Sequence, residues 1–195
     1  MPTSARIIGI ATIAAAAFAL GACGSDDSSD TDAAATTTKA TTSAAVATGA
    51  TTAKPSTGRA CTAEDIGVTG GFGENPTITI PDDCDAPTEL IVKDLVVGSG
   101  PGAQAGQELE MNYTLVTWSD KQKLDSSFDR GEPFELTLGA GMVIPGWDQG
   151  LEGVQEGTRR LLIIPPDLGY GAGGNGIKPN ETLVFVTDAV DVPDN

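Results

Sequence analysis

One short stretch, residues 143–154, limits the fold of this chain more than any other part of its sequence. Trp147, Leu151 and Val154 stand at positions i, i+4 and i+7, so they share one face of a helix. Pro145 suits the first turn of that helix. The segments on both sides have strand character, so the apolar face must pack against strands. The stretch predicts one short helix held in the concave face of a sheet.

This helix is weak by itself, because Gly150 in its interior costs roughly 1 kcal/mol relative to alanine. Gly153 follows at a point where it can end the helix in a left-handed cap. From the stretch alone, two interpretations of Trp147 remain open. The indole either fills the core or forms, with Val143 and Ile144, the mouth of a pocket.

The rest of the second half of the chain consists of short strand-like segments separated by turn residues. Residues 109–115 show the pattern most clearly, because every second side chain is apolar and Tyr113 lies on the apolar face. Strands do not alternate with long helices, so the predicted class is α+β: a twisted antiparallel β-sheet wrapped around one short α-helix. The strand-like segments are 90–92, 95–97, 109–115, 134–138, 159–164 and 182–192.

The first 23 residues have the pattern of a processing signal. Arg6 precedes an apolar run over residues 7–20, and small residues follow. The run is shorter than the roughly 20 apolar residues of a membrane-spanning helix. It ends in Leu-Gly-Ala-Cys23, which resembles a bacterial lipobox and predicts that Cys23 becomes a lipidated N-terminus. The alternative is a cleaved secretory signal in which Cys23 is incidental.

Residues 24–60 are rich in Ala, Thr, Ser, Asp and Gly, a composition that predicts a disordered tether. Cys61 and Cys84 are the other two cysteines, and in an exported protein they predict one disulfide, worth roughly 3 kcal/mol in the chain-entropy model. A redox pair or a metal site would need a CxxC spacing or more ligands. We therefore expect a small stapled extension over 61–87, followed by the main domain over 88–195.

Composition excludes several kinds of chemistry. The formal net charge of -16 argues against a nucleic-acid partner, and the lack of histidine excludes imidazole catalysis and His-ligated metal sites. Asp125, Asp129 and Glu132 lie close together in a predicted loop, where solvated acids are expected rather than a glycosidase pair or a calcium site. The glycine-rich segment 169–176 lacks the Lys-Ser/Thr of a phosphate loop and predicts a flap. We expect no metal and no cofactor.

The remaining candidates for a site are mostly apolar side chains with a few polar neighbours. An apolar pocket suits rotation about an X–Pro amide, whose barrier of about 18–20 kcal/mol comes from amide resonance. The twisted transition state is less dipolar than the planar amide, so a water-poor pocket favours it. In this hypothesis Trp147 forms the floor and the Tyr170 hydroxyl donates to the substrate carbonyl. The candidates are Tyr113, Leu124, Asp125, Phe134, Val143, Ile144, Trp147, Tyr170, Ile177 and Phe185.

At these residues the chain resembles the FK506-binding-protein class of peptidyl-prolyl cis/trans isomerases, over about residues 88–192. Two departures are visible: Leu124 stands where the family usually has Phe, and the loop over 171–182 is shorter than in small members. The segments that carry the resemblance are 113–114, 124–127, 129–130, 133–134, 138–139, 143–147, 150, 157, 166–171 and 182–185.

The resemblance implies a prolyl site with Trp147 as its floor and the Ile144 N–H as a donor to a ligand carbonyl. It implies that Asp125 pairs with Arg130 in a mostly structural role, so that Asp125 is not a general base. It also implies binding of FK506- or rapamycin-type macrolides. The residues that it assigns to the site are Tyr113, Asp125, Phe134, Val143, Ile144, Trp147, Tyr170 and Phe185.

The sequence therefore predicts a monomeric prolyl isomerase that acts on proline-containing exported polypeptides. Lipid on Cys23 would hold it at the outer side of the bacterial cell membrane. Two alternatives stay open: a catalytically weak prolyl-peptide-binding module or chaperone, and a solute-binding lipoprotein, which rests on the anchor alone.

Overall fold

A computed structural model describes residues 56–194. The predicted signal segment, Cys23 and most of the predicted tether lie outside the described residues. None of the helices within residues 56–194 has the length and apolar content needed to span a bilayer. The described chain begins inside the predicted tether, where the backbone N–H groups of Thr57 and Gly58 donate to the Asp85 carboxylate.

Within the described residues the main sheet has six antiparallel strands. The elements are β1 Gly67–Thr69, β2 Thr77–Thr79, β3 Ile91–Val96, β4 Glu108–Thr117, β5 Lys123–Ser126, α1 Ser127–Arg130, β6 Phe134–Thr137, α2 Pro145–Gly150, β7 Arg159–Ile164 and β8 Leu183–Asp191. Five strands of the main sheet run in the order β3-β7-β8-β4-β5, and β6 pairs with β4 next to the part of β4 that pairs with β5. The fold has the predicted class, an antiparallel sheet with few short helices.

The short helix α2 lies against one face of the sheet, as the sequence predicts. Trp147, Leu151 and Val154 are 3%, 0% and 0% exposed and belong to one core cluster with side chains of β4, β7 and β8. The helix ends at Gly150, and Gly153, three residues later, has the left-handed conformation that the sequence predicts for it, at φ 72°. The chain turns away because Gly153 N–H donates to the Ala103 carbonyl, and Ala103 N–H donates to the Val154 carbonyl.

Two local predictions are wrong. The apolar segments 90–92 and 95–97 form a single strand, β3, with an irregular register against β7 near Asp94. The stretch from Asp125 onward, predicted as a loop, forms the end of β5 and then α1. Pairing of Thr114 with Ser126 fixes β5 against β4, and Gly131 in the left-handed region ends α1. Strand β5 and helix α1 are each four residues long, which is too short for the periodicity of the sequence to predict them.

The predicted disulfide between Cys61 and Cys84 is present and closes the extension. Strands β1 and β2 form a hairpin inside it. Three extension side chains, Ala63, Ile66 and Ile80, are buried in a second core cluster. Their partners lie on the sheet face opposite α2: Val116, Leu161, Ile163, Val184 and Val186. The sheet is therefore covered on both faces, which explains why β7 is buried at all six positions.

Candidate active site

A cavity of about 480 Å³ opens beside α2 on the face of the sheet that α2 covers. All eight residues that the resemblance assigns to the site line this cavity. The complete lining is Tyr113, Leu115, Asp125, Phe134, Met142, Val143, Ile144, Pro145, Trp147, Tyr170, Asn175 and Phe185. The apolar elements that bury the helix thus also bring these residues together.

Aromatic rings form the walls and floor of the cavity. The planes of Tyr113, Phe134 and Phe185 stand at 88°, 85° and 80° to the Trp147 indole, with ring centres 5.4, 6.0 and 5.4 Å from it. Edge-to-face pairs of this kind are favoured by about 0.5–1.5 kcal/mol beyond area burial. The indole N–H is buried and has no hydrogen-bond partner among the described residues. The indole thus forms the floor of the cavity, and the three rings nearly perpendicular to it form the walls.

A polar network holds one of these walls. The Tyr113 hydroxyl donates to Asp125 Oδ2 at 2.5 Å and accepts from Arg130 Nη2 at 2.9 Å. Arg130 also pairs with Asp125 Oδ1, which accepts the Ser126 N–H as well. Burial, and then the Asp125 hydrogen bond, raise the pKa of the Tyr113 hydroxyl above its ordinary value. Both Asp125 oxygens are engaged, so the carboxylate braces the tyrosine.

Comparison with known proteins identifies the family. The family model for FKBP-type peptidyl-prolyl cis-trans isomerases matches residues 100–189. An FK506-binding protein of Streptomyces anulatus is 48% identical over 122 residues, which is 61% of this chain and 98% of that protein. The chain belongs to the FK506-binding-protein family. Members of this family are peptidyl-prolyl cis-trans isomerases, and this protein is an enzyme of that class.

Two further proteins are similar to this chain. An FK506-binding protein of Neisseria meningitidis serogroup B is 45% identical over 106 residues, covering 53% of this chain and 95% of that protein. The protein in the crystal structure of AtFKBP13 is 34% identical in sequence to this chain. The structural match has a TM-score of 0.49 and covers 55% of this chain and 96% of that protein.

Tyr170 differs from Tyr113 in one respect that matters to an isomerase. It follows the 3₁₀ turn Pro166–Leu168, and hydrogen bonds from Gly171 N–H to the Pro166 carbonyl and from Gly173 N–H to the Tyr170 carbonyl fix its backbone. Its hydroxyl has no hydrogen-bond partner within residues 56–194, although its ring is half-buried against the core. The O–H group is therefore free to donate to a bound carbonyl.

The glycine-rich flap after Tyr170 is anchored at its far end. Glu181 is buried and accepts from both the N–H and the hydroxyl of Ser119, at 2.7 Å each. Lys178 Nζ donates to Asp120 Oδ2 at 2.8 Å. These contacts attach the flap to the turn between β4 and β5, so that Asn175, at φ 52°, reaches the cavity.

Two predicted site residues lie outside the cavity lining. Leu124 directly precedes Asp125 on β5, and successive side chains of a strand point to opposite faces. Since the Asp125 side chain points into the cavity, the Leu124 side chain points away from it and is 41% exposed. Ile177 is 7% exposed and packs in the core cluster beside the floor instead of facing the cavity. Neither side chain is among the residues that line the cavity.

Four residues of the cavity lining were not predicted from the sequence: Leu115, Met142, Pro145 and Asn175. Leu115 was detectable, because it follows Tyr113 on the apolar face of β4, and Pro145 starts the helix already assigned to the site. Met142 and Asn175 carry no local signal, since one is 74% exposed and the other stands in an irregular loop.

Proposed function

We propose that this isomerase acts on X–Pro bonds of exported polypeptides, outside the cytoplasm and anchored to the bacterial membrane by lipid on Cys23. The observation that carries the catalytic part of the proposal is the cavity with three rings upright on the Trp147 indole. A prolyl ring lies on that floor, and the amide that precedes it sits among the aromatic walls.

The chemistry requires no acid, base or metal. An apolar cavity stabilises the less dipolar twisted amide more than the planar one, and each tenfold of rate needs about 1.4 kcal/mol of that difference. The Tyr170 hydroxyl and the Ile144 N–H, which has no hydrogen-bond partner within residues 56–194, hold the substrate carbonyls. Tyr113 with its Asp125–Arg130 brace keeps one wall in place.

Two features support an extracytoplasmic site of action. The Cys61–Cys84 disulfide is the kind of bond that persists in oxidising compartments. The segment that ends in Cys23 resembles a lipobox. Substrates in that setting are newly exported chains, whose X–Pro bonds isomerise over tens to hundreds of seconds without help.

The isomerase test uses the full chain and a chromogenic Xaa-Pro peptide. We expect the native protein to accelerate cis-to-trans conversion and Trp147→Ala to lose most of that rate, while an FK506-type macrolide competes with the peptide. Native activity indistinguishable from buffer would refute catalysis and leave a prolyl-peptide-binding module. Calorimetry with no macrolide heat and no competition would remove the macrolide part.

The anchor is tested separately, by expressing the full chain in a bacterium and partitioning it between detergent and aqueous phases. We expect the native chain in the detergent phase and Cys23→Ala in the aqueous phase. If both chains partition alike, the proposed lipid anchor is wrong, whatever the isomerase assay shows.

A further inference from the structure

The hairpin of the disulfide-closed extension reaches the back of the isomerase site. Its tip is held by a fully buried ion pair, Arg159 with Asp188, each side chain 1% exposed. Arg159 donates to the Gly70 carbonyl at 2.7 Å and to the Glu74 carbonyl at 2.6 Å, and Asp188 accepts the Gly73 N–H at 2.7 Å. The backbone on both sides of the tip is therefore fixed relative to β7 and β8.

The next residue, Asn75, uses both ends of its amide. Its Nδ2 donates to Asp129 Oδ1 at 2.9 Å, and its Oδ1 accepts the Thr114 hydroxyl at 3.1 Å. Thr114 is a buried residue of β4, directly after Tyr113. Asp129 belongs to α1, the turn that carries Arg130. One exposed amide thus connects the strand and the turn that supply the polar wall of the cavity.

The turn α1 needs such support, because a helix of four residues has no stability of its own. Its first residue is fixed by the Ser127 hydroxyl, which accepts the Tyr113 N–H at 2.8 Å. Its second half is held through Asp129, by Lys123 at 2.6 Å and by Asn75. Arg130 follows directly and contacts Asp125 and the Tyr113 hydroxyl.

We propose that Asn75 is a positioning residue of the isomerase site. Its amide joins the clamped hairpin tip to β4 and α1, and through α1 it keeps Arg130 against Asp125 and the Tyr113 hydroxyl. The extension is then part of the catalytic wall, not a spacer between membrane and domain. This inference rests on the proposed function, because its readout is prolyl isomerisation.

The decisive variants exchange the hydrogen-bond donor and acceptor between Asn75 and Asp129. In Asn75→Asp the acceptor for Thr114 remains, but two carboxylates face each other where an amide donated to Asp129. We expect KM for an Xaa-Pro peptide to rise and kcat/KM to fall about three- to tenfold, the range of one lost hydrogen bond. Combining Asn75→Asp with Asp129→Asn restores a donor and an acceptor with reversed roles, and we expect kcat/KM within about twofold of native.

Glu64→Gln is the matched control. It removes the ion pair between Glu64 and Lys93, another exposed contact between the extension and the sheet, at the edge strand β3 and away from α1. We expect unchanged kcat/KM and KM. Denaturation curves of all variants are recorded, so that activity is compared where each chain is fully folded.

If the native protein is active and Asn75→Asp leaves KM and kcat/KM unchanged, this inference is overturned and the proposed function stays intact. A loss at unchanged KM, or one that the exchanged pair does not recover, also overturns it, because either result indicates a general structural effect. A native protein without isomerase activity overturns the proposed function and this inference together.

Discussion

At the scale of single residues, the two tyrosines of the cavity have opposite surroundings. The Tyr113 hydroxyl is shared between Asp125 and Arg130, and the Arg130 guanidinium lies 5.3 Å from the Tyr113 ring centre. The Tyr170 hydroxyl has no partner within the described residues. A group already saturated by the protein holds structure, whereas an unpaired donor in a cavity is available to a ligand.

Removing the two hydroxyls should therefore separate stability from activity. In Tyr170→Phe we expect kcat/KM to fall about three- to tenfold, with a free energy of unfolding within about 0.5 kcal/mol of native. In Tyr113→Phe two hydrogen bonds are lost, and we expect about 1–2 kcal/mol of destabilisation. Peptide kinetics and urea denaturation measure both quantities. Equal loss of stability in the two variants would contradict this division.

We expect the stabilisation by the ion pair between Lys178 and Asp120, which attaches the flap, to depend on pH. The hydrogen bond from Lys178, followed by that from Thr117, lowers the pKa of Asp120 from 3.8 to about 2. A depressed carboxyl pKa contributes stability above about pH 4, and this contribution is lost as the pH falls toward 2. The side chain is 42% exposed, so solvent screening keeps the contribution small.

Lys178→Gln should move the pKa of Asp120 back toward 3.8, as measured by carboxyl-carbon NMR titration. The neighbouring Lys121 pairs with Asp82 and donates to the Pro81 carbonyl, so Lys121→Gln is the matched control. A shift of equal size in both variants would show that the cause is general charge and not the specific hydrogen bond.

At the scale of elements, the glycines of α2 allow the helix to approach β7 closely. A Cβ at Gly150 would lie 2.8 Å from Leu162 Cδ2, and one at Gly146 would lie closer still to Ile164 Cγ2. Both side chains are fully buried, but Leu162 meets the new atom with the end of a flexible side chain, whereas Ile164 is branched at Cβ and stiffer. Close contact thus offsets the poor helix propensity of glycine.

Gly146→Ala should therefore destabilise the protein although alanine is the better helix former. We expect a loss of about 1–3 kcal/mol from overpacking, and a smaller loss for Gly150→Ala. Urea denaturation of both variants gives the order. A Gly146→Ala protein as stable as native would show that α2 can move away from β7 without cost.

At the scale of the whole molecule, both faces of the sheet are covered, one by α2 and the other by the extension. The extension is attached in two ways, by apolar side chains and by the buried Arg159–Asp188 pair with its backbone contacts at the hairpin tip. A buried charge without its partner is costly, so this pair links the stability of the two parts.

Arg159→Met leaves the Asp188 carboxylate buried with only the Gly73 N–H as partner. We expect about 3–5 kcal/mol of destabilisation. Arg159→Met combined with Asp188→Leu should be the milder change, because no buried charge remains. Denaturant unfolding followed by tryptophan fluorescence measures both variants. A double variant less stable than the single one would show that the pair contributes more than its burial costs.

The sequence by itself determined the fold class, the short helix, the disulfide and eight of the cavity residues. Apolar periodicity reports which face of an element is buried, and the motif residues lie at fixed offsets within single elements. The lipid anchor and the monomeric state are also sequence conclusions, and both stay predictions.

Only the tertiary structure decided the rest. It moved Leu124 and Ile177 out of the cavity lining, brought in Met142 and Asn175, and showed that the extension covers the second face of the sheet. The contact from Arg159 to Gly70 joins residues 89 apart in the sequence. A local sequence pattern indicates which element a residue belongs to and which face of that element is buried. Contacts such as this one depend on how distant segments pack, so no single stretch of sequence predicts them.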